Sequence, residues 1–285
     1  MAAGGDGLKQ PSQTDRTASD GGDAHVTSLP LTQKLARLMT LSAAEAKLLR
    51  DLQSAPRRIA RGREMVVEGR RYDGLLILLE GAALRYRVLN DGRRQILNII
   101  LPGDFIGFPG CFFESALYSI AALSDCAVSP VSFSRLLGLF ESHPRLGAAI
   151  FWSLSCETAM YAEHLIGIGR RSALERIAHF LLEMLMRLQT VGLADECSYR
   201  LPLTQELLAD ALGLSLQYVN QTLRELREEG LVRVERQQVT ITDLDGLTAL
   251  ADFQRTYLSR FRSAEFHSTN WQNEKSIAAQ AHNDC

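Results

Sequence analysis

Four neighbouring polar side chains in the C-terminal part of the chain have the functional groups needed to read DNA bases. They are Gln217, Tyr218, Asn220 and Gln221. Glutamine and asparagine amides both donate and accept hydrogen bonds, so they can pair with base edges in the major groove. A helix that only faces solvent would more often carry Glu and Lys at these positions. The residue types therefore predict contact with nucleic acid.

The surrounding sequence predicts two short helices that pivot on Gly213. Apolar residues recur every three or four positions on both sides of this glycine, and Ser215 is well placed to cap the second helix. Two alternating β-branched runs follow at 231–235 and 238–242, joined by a tight polar turn at 236–237. This is the pattern of a winged helix-turn-helix, a fold that places its second helix in the major groove.

We assign ten residues of this region to the DNA interface. They are Thr204, Ser215, Leu216, Gln217, Tyr218, Asn220, Gln221, Arg224, Arg227 and Arg236. The arginines are expected to contact phosphates, which fix the register without reading sequence. Acidic residues outnumber basic ones by three between Arg170 and Asp245, so net charge does not support the interpretation. We therefore expect the arginines to gather on one face and the non-specific affinity to depend only weakly on salt.

Length and composition are those of a globular protein. The chain has 285 residues, enough for two domains with separate hydrophobic cores. Its apolar runs reach only strand length, so no membrane segment is expected. Residues 1–28 are rich in small and polar types, which predicts a disordered tail rather than a signal peptide, and residues 263–285 are predicted to be a second flexible tail. We therefore expect a cytoplasmic protein.

The sequence contains no recognisable catalytic or metal-binding pattern. Its six histidines are dispersed, and its five cysteines include no CxxC pair. A Ser/His/Asp constellation and a Gly-rich phosphate loop are also missing from the sequence. We predict neither an enzyme nor a cofactor or metal site. Idle thiols are the expected state of the cysteines, and a redox switch at Cys111, Cys126 or Cys156 is the alternative.

Residues 29–143 are predicted to form an antiparallel β-roll with a sensory role. Short apolar strands alternate with glycine-containing turns about every ten residues, and Asn90-Asp91-Gly92 is the strongest hairpin signal. Ten arginines and five acidic residues lie between Arg57 and Arg94. A solvated rim explains this surplus most simply, and the alternatives are an anionic effector or contact with flanking DNA.

Residues 144–169 are predicted to form a long helix that ends in a hinge at the two glycines Gly167 and Gly169. A stripe of small and apolar side chains predicts that this helix pairs with its copy in a homodimer. The stripe consists of Leu146, Ala149, Ile150, Ser153, Met160 and His164. Burial of the stripe against the helix's own barrel is the alternative. Residues 170–262, which open with a helix capped by Ser172, are predicted to be the DNA-binding domain.

In this order, the segments resemble the Crp/Fnr superfamily of bacterial transcription regulators. The likeness is carried by Leu101-Pro-Gly-Asp-Phe-Ile-Gly107 and by the runs 170–178, 201–232 and 241–247. It implies an α+β fold that joins a cyclic-nucleotide-binding-like β-roll, a long dimerisation helix and a C-terminal winged helix-turn-helix. It also implies a homodimer that binds a palindromic operator in double-stranded DNA and contacts RNA polymerase. The alternative is a ligand-sensing or protein-interaction module without sequence-specific DNA binding.

The sequence departs from this superfamily where effectors bind. Members that bind cyclic AMP hold the ribose with a Glu and the phosphate with an Arg, but Phe108 and Tyr118 stand at about those positions here. We therefore expect no cyclic nucleotide, and an unidentified effector in a pocket that includes Phe105, Phe108, Tyr118 and Ser119. The iron–sulfur branch needs cysteines near the N-terminus, and the first cysteine of this chain is Cys111.

The sequence also departs from the superfamily in the predicted recognition helix. Members frequently carry an Arg that reads guanine at the position of Gln221. Glutamine prefers the N6 and N7 atoms of adenine. The half-site recognised by this chain is therefore expected to differ from the familiar ones.

Overall fold

The computed structural model describes residues 29–72 and 74–258. Two predicted segments, the N-terminal tail 1–28 and the C-terminal tail 263–285, lie outside the described residues. Helices α1 (Pro30–Ala36) and α2 (Ala43–Leu52) come first. The predicted capping box of α2 is confirmed, because the Ser42 hydroxyl accepts from the Glu45 N–H and the Glu45 carboxylate accepts from the Ser42 N–H.

Eight strands then form the predicted antiparallel roll. They are β1 (Arg57–Ile59), β2 (Glu64–Val66), β3 (Leu75–Glu80), β4 (Ala83–Val88), β5 (Arg94–Ile100), β6 (Phe105–Ile106), β7 (Ser119–Ala122) and β8 (Cys126–Val131). Their orders are β1-β8-β3-β6 in one sheet and β2-β7-β4-β5 in the other. Apolar side chains of both sheets pack into one cluster, so the sheets cover each other. The predicted hairpin at 90–92 joins β4 to β5.

Two helices follow the roll, α3 (Phe133–Ser142) and the long α4 (Pro144–Arg170). The predicted break at Gly167 and Gly169 is wrong, because both glycines are helical and the chain becomes extended only at Arg171. The Arg176 guanidinium donates to the Ile168 carbonyl, which satisfies an acceptor that the helix end would otherwise leave unpaired. The bend between α4 and the next helix therefore lies at 171–172.

The C-terminal region has the predicted winged helix-turn-helix architecture. Its helices are α5 (Ala173–Thr190), α6 (Gln205–Leu212), α7 (Leu216–Glu228) and α8 (Leu244–Leu250). Strands β9 (Ser198–Arg200), β10 (Val232–Glu235) and β11 (Gln238–Ile241) form one antiparallel sheet in the order β10-β11-β9. The capping box of α5 between Ser172 and Glu175 is also confirmed.

The hydrophobic interior of the winged helix continues into the roll. Buried residues of α5, α7 and the wing share one cluster with Leu84, Ile96 and Ile99 of the roll. The expectation of two separate cores is therefore wrong at this junction, since α5 packs against strands of the roll. Among the described residues, no helix combines the length and the apolar character that a membrane crossing requires.

Candidate nucleic-acid interface

Helix α7 is oriented by the side chains that it buries. Val219 and Leu226 are 0% exposed and Thr222 is 4% exposed. Since a helix repeats every 3.6 residues, burying these positions leaves the positions between them outward. Gly213 ends α6 in the left-handed conformation, with φ 63° and ψ 38°, and so sets the angle between the two helices.

All ten residues predicted for the DNA interface are exposed. The side-chain amides of Gln217, Asn220 and Gln221 make no hydrogen bond within the described part of the chain, so their donors and acceptors are free. Tyr218 is 60% exposed and Leu216 is 41% exposed. The N-terminal half of α7 therefore presents a polar surface with aromatic and apolar elements, which suits base edges and thymine methyl groups.

Two of the ten residues also stabilise helix ends. The Thr204 hydroxyl accepts from the Leu207 N–H at 3.2 Å, and the Ser215 hydroxyl accepts from the Tyr218 N–H at 3.3 Å. These are N-caps, the most favourable position for Thr and Ser in a helix. Both helix N-termini thus face solvent with unpaired N–H groups, an arrangement that favours a nearby phosphate.

The wing has a two-residue turn at its tip. Glu235 pairs with Gln238, and the two residues between them, Arg236 and Gln237, have φ values of 48° and 69°. This is the backbone of a hairpin turn that normally favours Asn and Gly. The turn carries the exposed Arg236 at the end of the wing, where a guanidinium can reach a phosphate.

The roll holds the helix-turn-helix through strand β5. Two guanidinium nitrogens of Arg94 donate to one carboxylate oxygen of Asp210 on α6, at 2.9 and 2.7 Å. The amide of Gln95 donates to the Ala211 carbonyl at 3.2 Å. These contacts connect the roll directly to the helix that precedes α7. The roll and the helix-turn-helix are therefore in direct contact through polar side chains.

The structure does not bring the four predicted effector residues into one pocket. Phe105 is 4% exposed and packs in the core with α1 and α4, and the Ser119 hydroxyl accepts from the Glu68 N–H at 3.1 Å. Of these four residues, only Phe108 and Tyr118 contact the same group, which is the guanidinium of a buried arginine.

That arginine is Arg85 of β4, which is 1% exposed and which sequence reasoning assigned to a solvated rim. Its guanidinium donates to the Glu157 carboxylate and to the Tyr161 hydroxyl of α4, and to the Phe108 carbonyl at 3.2 Å. The Tyr118 ring lies 5.3 Å from it. Burial is the largest single effect on the pKa of Arg85 and lowers it, but Glu157, Tyr161 and Tyr118 together outweigh burial and raise it. The only sequence signal for this burial was a charge inside an apolar strand.

The predicted dimerisation stripe of α4 is largely covered by the protein's own chain. Five of its residues, Leu146, Ala149, Ile150, Ser153 and Met160, are between 0% and 6% exposed because their own chain covers them. The sixth, His164, lies 3.0 Å from the Glu183 carboxylate. Burial lowers the pKa of His164, but Glu183 outweighs this effect and raises it. Leu146, Ala149 and Ile150 pack in one core with strands of the roll, as the alternative of burial against the helix's own barrel predicts, whereas His164 contacts Glu183 of α5.

The three cysteines considered for a redox switch carry no disulfide, and none has a lowered pKa. Burial raises the pKa of Cys156 to about 11, and it also raises those of Cys111 and Cys126. Thiolates are the reactive form of cysteine, so these environments favour inert thiols at neutral pH.

Comparison with known proteins supports both halves of this architecture. Residues 56–143 match the family model of the cyclic nucleotide-binding domain, and residues 175–250 match the Crp-like helix-turn-helix domain. The nitrogen fixation regulation protein FixK of Azorhizobium caulinodans is 31% identical over 211 residues, which cover 73% of this chain and 84% of that protein. FixK of Bradyrhizobium diazoefficiens is 31% identical over 214 residues, covering 74% and 88%.

A solved structure agrees with these sequence relatives. FixK2 from Bradyrhizobium japonicum superimposes with a TM-score of 0.61 and 27% identity, over 69% of this chain and 96% of that chain. A CRP-family regulator from Thermus thermophilus has a TM-score of 0.56 at 23% identity, with 69% and 96% covered, and this likeness concerns the fold alone.

Proposed function

The chain belongs to the Crp/Fnr family of DNA-binding transcription regulators, and from this membership we propose that it binds a palindromic operator as a homodimer. The observation that carries the proposal is the orientation of α7. Its apolar side is buried, while the amides of Gln217, Asn220 and Gln221 are exposed and unpaired. Two such helices, related by a two-fold axis, fit successive major grooves about 34–36 Å apart.

An exposed apolar stripe on α4 supports dimerisation through the face opposite to the one predicted from sequence. On this side of the helix, Phe151 is 70% exposed, Leu165 is 71% exposed and Ile166 is 47% exposed. Large apolar side chains gathered on one helix typically mark an interaction surface. Small residues between them, such as Ala162, would allow the copy of α4 to approach closely.

The side chains of the roll favour an effector other than a cyclic nucleotide. Arg85 provides a cation near Tyr118, but Glu157 already neutralises it. A cyclic phosphate would have to displace this carboxylate, and it would meet no second charge to compensate. The match to the cyclic nucleotide-binding domain therefore concerns the fold of the roll. The regulator would act in the cytoplasm, where it would contact operator DNA and RNA polymerase.

Selecting bound fragments from genomic DNA tests the proposal. The purified chain is expected to enrich a palindrome whose half-sites are centred about 10–10.5 base pairs apart. The triple variant Gln217→Ala, Asn220→Ala, Gln221→Ala keeps the exposed arginines that are proposed to contact phosphates, and it serves as the matched control. It is expected to bind DNA without enriching the palindrome. A pool without any recurrent motif from the unaltered chain would instead support a module that lacks sequence-specific binding.

A further inference from the structure

A cavity of about 240 Å³ lies where several parts of the chain meet. Its walls come from α1 and the residues just after it, from β5 and the turn that precedes β6, from α4, from the C-terminal end of α5 and from Leu258. Phe108 and Tyr118, the aromatic neighbours of Arg85, do not line it. The cavity therefore adjoins the Arg85 site through Glu157, which lines it, but does not include the aromatic side chains around Arg85.

The interior of this cavity is mainly apolar. Leu38, Phe105, Trp152 and Met160 contribute to its walls. All except Trp152 are less than 10% exposed, so the walls belong to the packed core. A smaller engineered cavity of about 150 Å³ is large enough for benzene, so this one has room for a ring or a chain of several carbons. Ligand sites commonly combine such walls with a few polar groups at defined places.

The charges around the cavity favour an anion. The Asp104 carboxylate accepts from Lys34 Nζ at 2.6 Å and from Arg187 Nη2 at 2.8 Å, and Glu157 is paired with Arg85. Both acidic residues of the lining are therefore neutralised. Arg37 lies exposed on the lining, and its guanidinium makes one long hydrogen bond, 3.4 Å, to the Gln189 carbonyl. A positive charge is thus available next to an apolar interior.

We infer that this cavity binds a small organic carboxylate whose apolar body lies against Phe105, Trp152 and Met160 and whose carboxylate pairs with Arg37. A carboxylate matches the donors of a guanidinium, and the charge-assisted bond would form at the edge of the apolar interior. The inference goes beyond the proposed function. It also explains how a signal could act, since one ligand would contact the roll, α4 and the helix that leads into the DNA-binding region.

Fluorescence of Trp152 measures this binding without DNA. The chain has two tryptophans, so the full chain with Trp271→Phe leaves Trp152 as the only indole. Titration with 4-phenylbutyrate and with octanoate distinguishes aromatic from aliphatic acids, and 4-phenylbutan-1-ol is the uncharged control. At least one acid is expected to give a saturable change below about 1 mM, with the alcohol bound about tenfold more weakly or not at all.

Three variants in the same background locate the site. Arg37→Ala is expected to weaken binding of the acid about tenfold, because it removes the charge partner. Thr190→Phe places a ring into the cavity wall and is expected to abolish binding while circular dichroism remains unchanged. Arg50→Ala removes an exposed arginine of α2 away from the cavity and is expected to bind like the parent.

Three results would overturn the inference. They are no saturable change with either acid, equal affinity for the acid and the alcohol, and unaltered binding by a folded Arg37→Ala or Thr190→Phe variant. Because none of these measurements includes DNA, a negative result leaves the operator proposal standing. Conversely, a failed genomic selection would not affect the ligand measurement.

Discussion

Replacing Glu157 with glutamine is expected to destabilise the protein strongly. Arg85 is 1% exposed and Glu157 is 15% exposed, so the substitution leaves a buried positive charge without its counter-ion. Breaking a buried ion pair by removing one partner costs about 3–5 kcal/mol. For a protein of this size, each kcal/mol lowers the melting temperature by about 2–4 °C, which corresponds to a total fall of about 6–20 °C.

The exposed pair formed by Arg58 and Glu80 provides the matched control. Its atoms Nη1 and Oε2 lie 2.5 Å apart, but the side chains are 74% and 60% exposed. Solvent screens such a pair, so Glu80→Gln is expected to cost no more than about 1 kcal/mol.

Thermal and urea unfolding at pH 7, followed by circular dichroism, compare the two single variants. In the double variant Arg85→Met with Glu157→Gln, the buried charge is gone, and most of the lost stability should return. The reasoning is refuted if Glu157→Gln loses no more stability than Glu80→Gln. Such a result would mean that the Arg85 charge is stabilised by something other than the Glu157 carboxylate.

Three further perturbations test the recognition helix, the dimer and the acid limit of stability. Gln221→Ala should relax base preference at one position of each half-site and cost about 1–3 kcal/mol of specific binding; an unchanged selected motif would contradict its assignment to a base. Leu165→Glu on the exposed face of α4 should give monomers in light scattering, whereas Leu193→Glu, at another exposed leucine, should leave the dimer intact. Burial raises the pKa of Asp104, but Lys34 and Arg187 outweigh it and lower the pKa to about 2. The carboxylate therefore contributes about 2 kcal/mol above pH 4, which is lost as the pH falls towards 2, and Asp104→Asn should remove this part of the pH dependence in urea unfolding.

Local signals in the sequence predicted the elements of the fold well. The capping boxes at Ser42 and Ser172 and the N-cap at Ser215 each lie at the start of a helix in the structure. The two-residue turn at 236–237 is equally local. Each of these features depends on residues at most three or four positions apart. Their energies are therefore visible in a short stretch of sequence.

The partners of each surface were not predictable in the same way. Both faces of α4 carry apolar and small residues, and periodicity shows only which of them share a face. The face that contains Ile150 packs against the helix's own chain, whereas the face that contains Leu165 is exposed. Similarly, a charge inside an apolar strand was the only local sign that Arg85 differs from the exposed arginines around it, because its counter-ion lies 72 positions away in the sequence.

The sequence by itself determined the order of the helices and strands, the residues at which the capped helices begin, and the outward orientation of the amides on α7. These follow from helical period, capping and turn chemistry, which act within a few residues. Only the tertiary structure decided which side of α4 is exposed, that Arg85 is buried against Glu157, and that a cavity forms between α1, α4 and α5. The physical reason is that burial and charge compensation depend on the groups that long-range packing brings together, and sequence spacing does not specify those groups.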